Sequence, residues 1–210
     1  NEIIPVVSLY STFIQRGYDQ ILHDICLQNL HVVLAIDRAG IVGADGETHQ
    51  GIYDMAMLIP MPNICILAPR DYKEMVRMLE YAVFDAKGPI AIRYPRAAER
   101  HIDVTKDVSD ITFPQELRSG EDVVIFSVGY MAAEACLASD KLGNLGITCK
   151  VIDLRQVKPL HAGYILEETS HAKMSICCED GVVMGGVGTQ IARILLENQC
   201  HTPYFCVGIS

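Results

Sequence analysis

Short apolar runs rich in β-branched residues alternate with segments of helical periodicity, and the alternation occurs twice along the chain. Nothing else in the sequence restricts the fold so strongly. In the first half, Ile3–Leu9, His31–Ile36, Ile64–Leu67 and Ile90–Arg93 read as buried strands. Between them, Thr12-x-x-Gln15 offers a capping box, followed at helical spacing by Ile14, Tyr18, Ile21, Leu22 and Ile25. A short helix is predicted over Ile52–Leu58, and a longer one from Asp71-x-x-Glu74 to about Ala86. The second half repeats the pattern, with strands at Val123–Val128, Thr148–Ile152, Ser175–Cys178 and Tyr204–Val207. Its helices lie near Ala132–Leu142, His161–Thr169 and Thr189–Asn198. Continuous apolar strands joined by helical crossovers imply parallel sheets covered on both faces. The expected class is therefore α/β: two three-layer α/β/α domains with mostly parallel sheets. They span residues 1–97 and 122–210, with a charged, turn-rich linker over 98–121. Asn1 runs straight into one strand and Ser210 follows another, so both ends read as cuts through a larger fold.

The formal charge of −9 opposes general binding to nucleic acid, whose phosphates require a basic surface. No apolar run approaches the ~18 residues of a membrane span, and no signal peptide is visible. Of eight cysteines, Cys26, Cys65, Cys136, Cys149 and Cys177 sit in apolar runs, as buried free thiols of a reducing cytosol would. A disulfide framework or a zinc site is the alternative reading of these cysteines.

Ligands of open parallel sheets bind beyond the carboxyl ends of the strands. The richest segment at such an end runs from Asp37 to Gly51. It holds an arginine, three acids and a histidine, with glycines at 40, 43, 46 and 51. A polar loop of this length is a candidate binding loop. His49 either handles protons, since imidazole titrates near neutrality, or simply bonds the loop. Asp45 either orients the imidazole or a substrate, or forms an Asp-Gly turn. Arg38 and Arg96 also follow strand ends. They suit a phosphate monoester if they converge, and surface ion pairs if they do not. Tyr10 and Phe13 can stack on a heterocycle or fill core, and Arg16 lies on the polar face of the first helix. Met184-Gly-Gly-Val-Gly-Thr-Gln190 lacks the last glycine of a dinucleotide fingerprint and reads as a turn and helix start. Glu179-Asp180 before it is either a turn or an interdomain contact.

Three segments carry a family resemblance: Tyr10-Ser-Thr-Phe-Ile-Gln-Arg16, Ile36-Asp-Arg-Ala-Gly-Ile-Val-Gly-Ala-Asp-Gly-Glu-Thr-His-Gln-Gly51 and Arg93-Tyr-Pro-Arg96. They strongly resemble the 1-deoxy-D-xylulose-5-phosphate synthase family, transketolase-like enzymes that use thiamine diphosphate and magnesium. Asp153-Leu-Arg-Gln-Val-Lys-Pro-Leu160 and Met184-Gly-Gly-Val-Gly188 resemble that family's carboxy-terminal domain. The resemblance implies decarboxylative condensation of pyruvate with glyceraldehyde 3-phosphate, the first step of non-mevalonate isoprenoid synthesis, in a cytoplasmic homodimer (or a plastid, in a plant). It implies that His49, supported by Asp45, assists proton transfer beside the cofactor, and that Phe13 packs on the aminopyrimidine. Tyr10, Arg38 and Arg96 would hold the substrate phosphate, with Arg16 close by. The family's Gly-Asp-Gly…Asn element for magnesium and diphosphate does not occur here, nor does an assignable activating glutamate. The piece alone is therefore expected to be inactive, to bind the cofactor weakly, and to need an amino-terminal domain. A split transketolase, a 2-oxoacid dehydrogenase β subunit and a non-catalytic assembly module are the alternatives.

Overall fold

A computed structural model describes residues 3–104 and 107–210. The first sheet contains β1 (Val6–Tyr10), β2 (Val33–Asp37), β3 (Cys65–Leu67), β4 (Ile90–Arg93) and β8 (Gln156–Lys158). Their order is β1-β2-β4-β3-β8, parallel except for β8, which runs antiparallel to β3. The second sheet holds β5 (Gln115–Arg118), β6 (Val123–Ser127), β7 (Cys149–Asp153), β9 (Met174–Val182) and β10 (Tyr204–Ile209). Its order is β10-β9-β6-β7-β5, parallel except for β5 against β7. Helices α2 (Asp54–Leu58), α3 (Tyr72–Phe84), α4 (Met131–Gly143), α5 (Ala162–Ser170) and α6 (Val187–Glu197) make the connections. The two mostly parallel α/β sheets are those expected from the alternation. One apolar cluster joins the halves, running from Leu34, Ile36 and Ile66 to Phe126, Ile152 and Ile191.

Four local features differ from expectation. β1 is not buried. It is an edge strand with Val6 51% and Val7 38% exposed, because among the described residues only β2 pairs with it. The segment after it is not one regular α-helix opened by a Thr12 capping box. A 3-10 stretch over Ser11–Gly17 begins after Tyr10 with no side-chain cap, passes through α1 (Tyr18–Gln20), and widens into a π-helix over Ile21–Cys26. Widening to i→i+5 bonds puts Ile21 and Cys26, five residues apart, both in the core. β5 lies inside the stretch read as a linker; it is an edge strand whose Glu116 and Arg118 stay partly exposed. β8 leaves the second half to complete the first sheet. By contrast, α3 starts as its sequence predicts, with Asp71 accepting the Glu74 N–H at 2.8 Å.

All eight cysteines are free, and Cys26, Cys136, Cys149 and Cys177 are buried. No helix among the described residues is long and apolar enough to cross a membrane.

Two buried ion networks tie the halves together. Arg155, fully buried and at φ 55°, donates to Glu74 Oε1 at 2.6 Å and to Asp107 Oδ1 at 3.0 Å. Its Nη1 also reaches the carbonyls of Val108, Asp110 and Phe113, which holds the connecting segment in place. Arg93, at the end of β4, donates from Nε to Asp54 Oδ2 at 2.9 Å and from Nη1 to Asp180 Oδ1 at 2.7 Å.

Candidate functional site

The carboxyl ends of β1, β2 and β4 point the same way, and candidate residues stand at or just beyond each. Tyr10 closes β1, Arg38 follows β2, and Arg96 stands three residues beyond β4. Arg38 takes a left-handed turn at φ 59°, directly after Asp37, which reverses the chain into the polar loop. The loop is stitched shut where Gly40 and Gly51 exchange backbone hydrogen bonds of 2.7 and 2.9 Å. Gln50 adds a brace, accepting the Val42 N–H at 2.7 Å and donating back to the Val42 carbonyl at 3.1 Å. Gly51 is required by close approach: a Cβ there would stand 2.1 Å from the Arg38 carbonyl oxygen and 2.7 Å from Ser11. Gly40 is required twice over, by its φ of +78° and by Asp180, whose carboxylate would lie 2.5 Å from a Cβ.

The loop and the first turn after β1 bring the predicted residues into one cluster. Arg38 Nη1 donates to Asp45 Oδ1 at 2.6 Å, and Arg96 Nη1 donates to the same oxygen at 2.8 Å. Arg38 Nη2 donates to the Tyr10 hydroxyl at 2.9 Å, and its guanidinium carbon sits 4.0 Å from the Tyr10 ring centre. Tyr10 stacks on Phe13 at 5.6 Å and 13°. Phe13 meets the edge of His49 at 5.4 Å, and Arg16 lies 5.7 Å from the Phe13 ring centre. His49 Nδ1 shares a 2.7 Å hydrogen bond with the Thr48 hydroxyl.

Charge within the cluster is unbalanced. The hydrogen bond from Arg38 holds the Asp45 carboxyl below the usual carboxylate range, and the same bond raises Arg38. Asp45 answers both guanidinium groups and Asp37 stands 3.9 Å from Arg38 Nε, so two carboxylates face the three arginines Arg16, Arg38 and Arg96. Asp45 does not touch His49; its partners are the two arginines, and Thr48 holds the imidazole.

Of the two readings of Asp180, the contact between the halves is the one found, with Arg93 as its partner; the pairing of Arg93 with Asp54 is not among the expectations, although Arg93 ends a four-residue strand whose other members are apolar. A charge placed there demands buried acids, and that signal would have found them. Glu179 is likewise structural: it accepts the N–H groups of Val187 and Gly188 at 2.9 and 2.8 Å, at the start of α6. Burial raises its carboxyl above the ordinary value.

A pair of parallel α/β sheets, with an aromatic–imidazole–guanidinium cluster beyond the strand ends of the first, defines a transketolase-type chain. Residues 1–100 match the transketolase pyrimidine-binding domain and residues 115–209 the transketolase C-terminal domain. The chain belongs to the transketolase family of thiamine-diphosphate enzymes, and its curated relatives include 1-deoxy-D-xylulose-5-phosphate synthases. That of Caldanaerobacter subterraneus subsp. tengcongensis is 41% identical over 208 residues, covering 97% of this chain and 33% of that protein. That of Synechocystis sp. is 41% identical over 210 residues, covering 99% and 33%. The chain thus spans about a third of the length of these relatives. A solved structure described as a split gene transketolase, inactive beta4 tetramer, superposes with a TM-score of 0.88 at 28% identity, covering 99% of this chain and 67% of that one. Transketolase from Campylobacter jejuni shares the fold, with a TM-score of 0.79 at 18% identity over 99% of this chain and 31% of that one.

Proposed function

We propose that this chain forms the aminopyrimidine and substrate-phosphate side of a 1-deoxy-D-xylulose-5-phosphate synthase site. The reaction joins pyruvate to glyceraldehyde 3-phosphate and releases carbon dioxide. The observation that carries the reading is the single cluster of Tyr10, Phe13, Arg16, Arg38, Asp45, His49 and Arg96.

The residues fit one end of thiamine diphosphate. Phe13 keeps 37% of its surface exposed between Tyr10, Arg16 and His49, which suits a heteroaromatic ring laid against it. The diphosphate–magnesium end finds no such fit, since among the described residues no three acid, histidine or cysteine side chains gather closely enough for a metal. The bound cofactor supplies a nucleophilic carbon and an electron sink for decarboxylation. Residues of this chain do the rest. His49, its ring fixed by Thr48, holds or passes a proton at the substrate carbonyl oxygen through Nε2. Arg38, Arg96 and the Tyr10 hydroxyl donate to the phosphate of glyceraldehyde 3-phosphate, with Arg16 close by. Asp45 keeps the two guanidinium groups together in the absence of substrate. Because the chain spans a third of its relatives, turnover requires residues supplied from outside it, including those for magnesium and cofactor activation. The setting is cytoplasmic.

A second reading is favoured by the close superposition on the split gene transketolase: the chain as one subunit of a two-chain ketol transferase. One experiment separates the two. The catalytically complete protein, wild type and His49→Ala, receives thiamine diphosphate, magnesium, pyruvate and glyceraldehyde 3-phosphate. The synthase reading expects carbon dioxide and a five-carbon product, with a loss of about 10²-fold or more in the variant. Ketol transfer from a ketose phosphate without that product establishes the second reading instead.

A further inference from the structure

Strand β9 outruns its neighbour β6, whose pairing with it ends at Ser127 and Cys178. The last residues of β9 meet the first half instead, at both feet of the polar loop. At the first foot the Asp180 carboxylate lies against Gly40, where a Cβ would come within 2.5 Å of Oδ2 and 3.1 Å of Cγ. At the second, the Val182 N–H donates to the Ile52 carbonyl at 2.9 Å.

The loop has little else to fix it. Of residues 41–50 only Val42 is buried, so the segment carrying Thr48 and His49 has no core of its own. Its place is set where the chain enters and leaves, at the mutual hydrogen bonds of Gly40 and Gly51. Asp180 makes a rigid stop there. Arg93 Nη1 holds its Oδ1 at 2.7 Å, and Arg93 is in turn held by Asp54 at 2.9 Å and is 3% exposed. Arg38 precedes the first foot and Arg96 leaves a different strand, so a shift of the feet displaces His49 more than the two arginines.

We infer that Asp180 is a positioning residue for the reaction. It fixes His49 by packing against Gly40, through the shape of its pinned carboxylate rather than its charge. The second half thereby aligns a proton-handling group carried by the first. The inference rests on the role proposed for His49 and adds to it the residue that sets its place.

Two variants test it, Asp180→Ala and Asp180→Asn. Both remove the charge facing Arg93, so both should lower the urea midpoint of the full chain. Asparagine keeps the bulk against Gly40 and offers Arg93 an amide oxygen, whereas alanine empties the space. By amide hydrogen exchange of the full chain, Gly40 and Gly51 should exchange about tenfold faster in Asp180→Ala, relative to the β2 amides, and stay protected in Asp180→Asn. In the catalytically complete protein, Asp180→Ala should lower kcat about 10- to 100-fold, with a smaller rise in the KM for glyceraldehyde 3-phosphate. Asp180→Asn should recover most of the wild-type kcat. Unchanged exchange at Gly40 and Gly51 in Asp180→Ala overturns the inference. So does a kcat that falls equally in both variants, because activity would then follow the ion pair and not the packing. The exchange result does not depend on the reaction. If the wild type makes no five-carbon product from pyruvate, the synthase reading fails, and the same two variants are compared in ketol transfer.

Discussion

Arg93 and Asp180 join the two halves of the chain through a 2.7 Å ion pair, and the same guanidinium holds Asp54 at 2.9 Å. Arg93 and Asp54 are almost completely buried. Removing the arginine leaves carboxylates with no compensating charge, which costs far more than an exposed pair. Arg93→Ala should lower unfolding free energy by roughly 3–5 kcal/mol, read from urea titration. A loss below about 1 kcal/mol, the scale of a surface pair, would show the network to be dispensable.

The shared Asp45 oxygen makes Arg38 and Arg96 one binding unit for an anion. In the complete enzyme, Arg38→Ala and Arg96→Ala should each raise the KM for glyceraldehyde 3-phosphate at least about tenfold. The KM for pyruvate should move little. Equal effects on both substrates would remove the phosphate role. Asp45 itself ionises below the usual carboxylate value. Its stabilising share is therefore complete above the unfolded carboxylate value, near 3.8, and is lost only as pH falls through the lower folded value. Asp45→Asn should flatten that acid limb.

Gly51→Ala tests the loop closure. The added methyl would lie 2.1 Å from the Arg38 carbonyl oxygen, so backbone must move where Arg38 and the Gly40–Gly51 pair are set. Overpacking of this kind costs roughly 1–3 kcal/mol. Activity of the complete enzyme should fall further than stability, because the displaced element carries His49 and Asp45. Unchanged activity and thermal midpoint would contradict the close packing.

Burial pushes the Cys65 thiol up to about 12 and the Cys178 thiol up to about 11, while exposed thiols titrate near 9. Both groups have raised folded values, so their contribution is intact below pH 9 and declines as pH rises toward 12. Stability should therefore fall along that alkaline stretch, and Cys65→Ala should shallow the slope even though it lowers stability at neutral pH. Against thiol reagents near pH 8, both residues should react slowly in the folded chain and rapidly in urea.

The central strands β2 and β4 were legible because burial on both faces demands dense apolar runs, whereas the apolar run of β1 gave the strand but not its exposed edge position. Elements set by distant partners were not legible. Gln156–Lys158 is three residues with one apolar member, and only its pairing with Cys65–Leu67 makes it a strand. Gln115–Arg118 alternates at an edge and carries two charges, so it reads as loop. At the site, the residue types and strand ends identified Tyr10, Phe13, Arg16, Arg38, Asp45, His49 and Arg96 as candidates. Their pairing was not visible. Asp45 is only four residues from His49 in sequence, yet the left-handed turn at Arg38 and the Gly40–Gly51 closure aim it at two arginines. Spacing along a chain gives proximity, while the sign of φ at one residue decides which neighbour is met.

Because β8 leaves the second half to lie against β3, the first sheet borrows its last strand from the other side of the connecting segment. Severing the chain between the two matched regions would not release two finished bodies. The leading piece would lose a strand and gain a raw edge at Cys65–Leu67, open to any extended peptide. The trailing piece would lose the partner of Gln156–Lys158. The two halves therefore fold as partners, each leaving the other's edge open when separated.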